Sequence, residues 1–200
     1  MNLEKISFEF NHLRIDTSKI DKFIDLANTE FDVTRQQCVD ALQNQESDHR
    51  SLNEACKAGN ILFSIYALGI LHCYSLLENN RIEIIARKLN LSERKREKYH
   101  KMAEVKKVLN DTFQIEHRTI KNSDHAEEFR NVNNALKHSR FAYSQNVIVK
   151  GSNSISERTY NDQKLRELYE KTPLLNEYLS DLYSKIESVQ TNVACVPRTS

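Results

Sequence analysis

The chain has 200 residues, enough for one hydrophobic core, or a core with an appendage, without disulfide or metal staples. Hydrophobic residues make up 39% and charged residues 28%, the balance of a soluble globular domain, while Gly 3 and Pro 2 exclude collagen-like, linker-rich and turn-dense all-β architectures. Lys+Arg 29 against Asp+Glu 28 leaves a net charge of +1, so there is no global pull toward nucleic acid or membrane, and any basic patch must be local.

Residues 1–16 read as an N-terminal arm, with weak alternation at Ile6, Phe8 and Phe10. From Thr17 the pattern turns helical. Ile20, Phe23, Ile24, Ala27, Phe31, Thr34, Cys38 and Leu42 recur at three- and four-residue steps, which predicts a first helix to about Gln45. Asp16, Thr17 or Ser18 can cap it. The polar stretch NQESDHRS breaks the pattern, and a second helix starts near Ser51. It carries 20 residues without a formal charge, Ala58 to Leu77, long enough to span a bilayer. Asn60, Ser64, His72 and Ser75 interrupt that run, and its flanks lack an aromatic belt or a cluster of positive charges. The preferred reading is the central helix of a bundle, with His72 a hydrogen-bonded core residue; membrane insertion is the alternative. This helix either continues through RIEIIARKLN to about Leu89 or breaks near Asn79 and Asn80.

Ser92 caps a third helix, Glu93 to about Glu116, with Tyr99, Met102, Val105, Leu109 and Phe113 along one side. Its other side is basic: Arg94, Lys95, Arg96, Lys98, Lys101, Lys106 and Lys107. Such a face can track an RNA backbone, with Arg94, Lys95, Arg96, Lys98 and Lys101 as candidate contacts, though a solvated helix surface gives the same run. HRTIKNSD reads as a loop, and Ser123 or Asp124 caps a fourth helix from His125 to Ser139. RFAYSQNVIVKG and ISERTY then form a small β-hairpin around Gly151. A fifth helix begins near Asn161, kinks or restarts at Pro173, and aligns Leu175, Tyr178, Leu179, Leu182, Ile186 and Val189. Residues 191–200 read as a flexible tail. The fold class is therefore mainly α: a single helical-bundle domain over residues 17–190, of about five helices, with a hairpin after the fourth.

Of the four cysteines, Cys38, Cys56 and Cys73 read as small core hydrophobes, and none of the four, Cys195 included, forms a CxxC pair. That usage suits a reducing, cytoplasmic compartment, and the charged N-terminus has no signal-peptide core. There is no Gly-rich phosphate loop, nucleophile elbow or HExxH, so no cofactor or metal is implied, and no DNA-specific motif is present.

Chemistry concentrates in AEEFRNVNNALKHS, residues 126–139. At 100° per residue, Phe129, Val132, Ala135 and Leu136 gather on a core side. Arg130, Asn134 and His138 run along the opposite side, drifting by only about 80°, with Glu127 and Asn131 flanking them. Arginine is a fixed cationic fork for phosphate, histidine moves protons near neutrality, and asparagine can orient either. An ordinary solvated helix face presents similar residues.

A long apolar helix followed by an Arg-Asn dipeptide and a downstream His on a later helix resembles the HEPN superfamily. The resemblance covers roughly residues 50–140 as an architecture. It implies an all-α domain, a homodimer, and in many members a metal-independent endoribonuclease of toxin–antitoxin, abortive-infection or CRISPR-associated defence systems. Arg130 would be the motif arginine, Asn131 its polar neighbour and His138 the motif histidine, both Arg130 and His138 catalytic, with Asn131, Asn134 and Glu127 in support. RNA would be the substrate, and an antitoxin or other protein a partner. Seven residues separate Arg130 from His138, one more than the family usually has. Arg94 to His100 has five between and Arg118 to His125 six, but Lys95 follows Arg94, and the second pair spans the predicted loop. A non-catalytic helical module that binds a partner protein or a nucleotide is the alternative.

Eight helical steps put the α-carbons of Arg130 and His138 about 12 Å apart. Two copies of the helix crossing antiparallel near Asn134 would instead bring each Arg130 to the other copy's His138, in two symmetry-related sites.

Overall fold

In the computed structural model, residues 13–43, 49–138, 146–150 and 157–189 are described. The predictions at Ile6–Phe10, at Ser139, Phe141, Tyr143 and Gly151, at Cys195 and for the tail lie outside them. The chain is mainly α-helical, with a two-stranded antiparallel hairpin. Its described residues fall into two compact units, each built from separated stretches: those within Ile15–Leu77 and Asp124–Leu175, and those within Met1–Arg14, Glu78–Ser123 and Asn176–Ser200.

The first unit opens with α1 (Ser18–Gln43). The Thr17 carbonyl accepts from the N–H groups of Ile20 and Asp21, and the Asp16 carboxylate accepts from that of Ser18. Ile24, Ala27, Thr34 and Cys38 are buried; Phe23 and Leu42 of the predicted stripe are exposed, Phe23 lying about 100° to the side of Ile24. The long helix α2 (His49–Leu89) is continuous and contributes to both units. Here it buries Leu62, Phe63, Tyr66, Ala67, Ile70, Cys73 and Leu77. His72 is exposed rather than part of the core, because it sits about 200° around the helix from Ile70. Cys56 is exposed for the same reason, offset equally from Ala58. By length and composition α2 is apolar enough to cross a membrane, and half of its most apolar window is buried within the protein. Tyr169 meets Tyr66 edge-on, with ring centroids 6.1 Å apart, and donates its hydroxyl to Asp21 at 2.9 Å.

The same unit contains α5 (Ser123–His138) from Asp124 onward, and strands β1 (Val147–Lys150) and β2 (Glu157–Tyr160), paired with Val147 opposite Tyr160. Val147, Val149 and Tyr160 face inward while Ile148 faces out, the period-two alternation of a half-buried strand. Asn161 caps the short helix Asp162–Tyr169 by accepting from the Lys164 N–H at 3.0 Å. The chain restarts at Thr172, with Pro173 in the first turn of the last helix, Thr172–Ser188, where its missing N–H costs nothing.

The second unit departs from prediction along the third helix and at the loop that follows it. The expected third helix is a helical turn α3 (Glu93–Arg96), a 3-10 turn Glu97–His100 and then α4 (Met102–Asp111). Lys101 is extended, at φ −82° and ψ 118°, which interrupts the helical run between Tyr99 and Met102, both of them buried. Gln114, at φ 58°, prevents continuation to Glu116. His117, read as loop, is buried against Tyr178: its Nε2 lies 3.2 Å from the phenol oxygen. Asn80 stays helical and donates to the Leu13 carbonyl at 2.6 Å, so α2 has no break there.

Candidate functional site

Helix α5 carries every side chain of the predicted catalytic set. Phe129, Val132 and Leu136 are fully buried and fix its rotation. Glu127, Arg130 and Asn131 are consequently half-buried, and Asn134 and His138 exposed. Arg130 Nε lies 2.8 Å from Glu127 Oε2, an i,i+3 ion pair, and Arg130 Nη2 donates to Asn131 Oδ1 at 3.4 Å. Glu127 thus anchors the guanidinium, and the guanidinium sets the orientation of the Asn131 amide.

Asn131, Asn134, Ala135 and His138 form one wall of a cleft of about 550 Å³. Asn146, Val147 and Ile148 of the hairpin form the other. His138 is the last residue of α5 and opens on this space. Ala135, predicted to be core, is half-exposed and floors the cleft instead. Arg130 is not among the lining residues. With both residues on one unbroken helix, the α-carbons of Arg130 and His138 stay about 12 Å apart.

Sequence reasoning passed over three residues of this region. Asn133 is 1% exposed and donates to Asn134 Oδ1 at 3.4 Å, steadying that amide from behind. The signal was present: Asn133 follows Phe129 by four residues and so shares its buried face. Asn146 and Ile148 come from the hairpin, and no spacing within residues 126–139 announces them.

The basic run is only partly available for RNA. Arg94, Lys95, Lys98 and Lys101 are exposed, and the Lys98 ammonium sits 4.8 Å from the Tyr99 ring centroid. Arg96 is half-buried and committed: its Nη1 donates to Glu83 and its Nε to the Leu91 carbonyl. The alternative histidines also have partners. His100 lies 3.2 Å from Glu78, and His125 lies 3.8 Å from Glu128, while Arg118 pairs with Glu116. Among the described residues, no three His, Cys, Asp or Glu side chains gather in a way that would hold a metal ion.

Set against known proteins, the chain matches no family model, no curated protein and no solved structure.

Proposed function

We propose that this protein is a HEPN-like, metal-independent endoribonuclease, an effector of the toxin or antiviral-defence kind, acting as a homodimer. One observation carries the reading: Asn131, Asn134 and His138 open on one cleft, beside an arginine that Glu127 holds in place. In the proposed reaction the RNA 2′-hydroxyl oxygen attacks phosphorus and loses its proton to His138. The bond from phosphorus to the 5′-oxygen breaks, and that oxygen takes the proton His138 carries and leaves as a hydroxyl. Arg130 of the second copy stabilises the charge that develops on the pentavalent phosphoryl group. The products are a 2′,3′-cyclic phosphate and a free 5′-hydroxyl. Arg94, Lys95, Lys98 and Lys101 add contacts to the RNA backbone, which would make binding salt-dependent.

The test is RNA cleavage in EDTA by the wild type and His138→Ala. The expected result is cyclic-phosphate ends from the wild type and a loss of about 10²- to 10⁴-fold in the variant. Equal cleavage by the two, or none by either, would sink the proposal. The second reading is a helical module that binds a nucleotide or partner protein without cutting. It is favoured by Arg130 lying outside the cleft lining and already being paired with Glu127. Binding of an RNA oligonucleotide with no cleavage at any protein concentration would select it.

A further inference from the structure

A second cavity lies in the same unit as the amide cleft, on the β2 side of the hairpin. It encloses about 230 Å³ and is lined by Arg158, Lys164, Lys171, Tyr160, Glu128 and Glu167. Its volume equals that of about seven or eight water molecules, room for a phosphoryl group with part of what carries it.

Three cations converge here, and none has a carboxylate partner among the described residues. The Lys164 ammonium donates to the Thr159 carbonyl at 3.0 Å. Both carboxylates of the lining are turned to other groups. Glu128 Oε1 accepts from the Tyr160 hydroxyl at 2.7 Å and its Oε2 faces His125 Nδ1 at 3.8 Å, while Glu167 accepts from the Gln163 amide at 3.2 Å. Tyr160 is 6% exposed and gives the cavity one buried wall, while Arg158, Lys164 and Lys171 are exposed around it.

We infer that this cavity is a binding site for a phosphoryl group, held by Arg158, Lys164 and Lys171. The guanidinium supplies a planar fork and the ammonium groups supply point charges, together more donors than a carboxylate could use and enough for three phosphoryl oxygens. The phosphoryl group can belong to a free nucleotide or to an RNA backbone. The site stands independently of whether RNA is cut.

The experiment titrates the full chain with inorganic phosphate, to about 10 mM, with uridine monophosphate, and with an uncleavable 2′-O-methyl RNA. Amide chemical shifts report the first two ligands and fluorescence anisotropy the third. Arg158→Gln and Lys171→Gln are compared with Lys22→Gln, an exposed residue of α1, as a control. Shifts should centre on residues 158–171, and each cavity variant should weaken binding about tenfold. Arg158→Lys should recover part of the loss. If phosphate and the nucleotide bind, and only the cavity variants weaken them, the source is a free nucleotide. If only the RNA responds, it is a backbone phosphate. Shifts scattered over the surface, or cavity variants indistinguishable from Lys22→Gln in all three titrations, would overturn the inference.

Discussion

Gly69 shows what a single residue can decide in this protein. A Cβ added there would lie 2.8 Å from the Tyr169 ring, a ring held by its hydroxyl bond to Asp21 and by its edge contact with Tyr66. The ring has little freedom to withdraw. Gly69→Ala should therefore destabilise the protein by about 1–3 kcal/mol, even though alanine is the better helix former. Urea denaturation checks this, and an unchanged or raised midpoint would contradict it. His138 is the opposite case. It is exposed at a helix end, so His138→Ala should leave the unfolding free energy from urea denaturation within about 0.5 kcal/mol of wild type while cutting the proposed cleavage about 10²- to 10⁴-fold. Loss of both together would make the residue structural.

At the scale of elements, the hairpin and the helices beside it bury protonated groups. Burial, reinforced by the hydroxyl bond to Glu128, pushes the Tyr160 phenol from an ordinary 10.0 up to about 12. Burial also pushes the Cys73 thiol from 9.0 up to about 11, and raises the Tyr169 phenol, whose hydroxyl bond to Asp21 acts in the same direction. These folded-state values lie above the unfolded ones, so over the interval between them the native state holds protons that the unfolded chain has released. Stability then falls as pH rises. The contribution is complete below about pH 9, and the shares of Cys73 and Tyr160 should be lost between about pH 9 and 12. Melting temperature measured across that range should drop for the wild type and drop less steeply for Tyr160→Phe. Parallel curves would show that the phenol carries none of the effect.

At the scale of the whole molecule, the proposed chemistry makes a demand on stoichiometry. Arg130 and His138 cannot meet within one copy, so each site would draw one residue from each of two copies. Arg130→Ala and His138→Ala should be inactive alone. In an equal mixture, half the dimers are hybrids, and each hybrid keeps one intact site out of two. Mixing should therefore restore about a quarter of wild-type cleavage. No recovery in a mixture that exchanges subunits would mean that the two residues do not act across an interface.

Elements whose periodic pattern is long were legible in the residues themselves. Ile24, Ala27, Thr34 and Cys38 on α1, Phe129, Val132 and Leu136 on α5, and Leu175, Tyr178, Leu179, Leu182 and Ile186 on the last helix are all buried where their spacing places them, because burial of one helix face depends on a repeat that sequence displays directly. Asn161 as a cap and the restart at Pro173 were legible too, since both act within a few residues. Other features depend on partners distant in sequence. His117 is drawn inward by Tyr178, and Cys56 and His72 turn outward on a helix whose apolar composition does not say which side will be covered. For the site, local order alone brought Arg130, Asn131, Asn134 and His138 onto one helix. The tertiary structure decided that β1 would face three of them across a cleft and that Arg158, Lys164 and Lys171 would share a cavity, because a hairpin's position against a helix is set by long-range packing that no local pattern encodes.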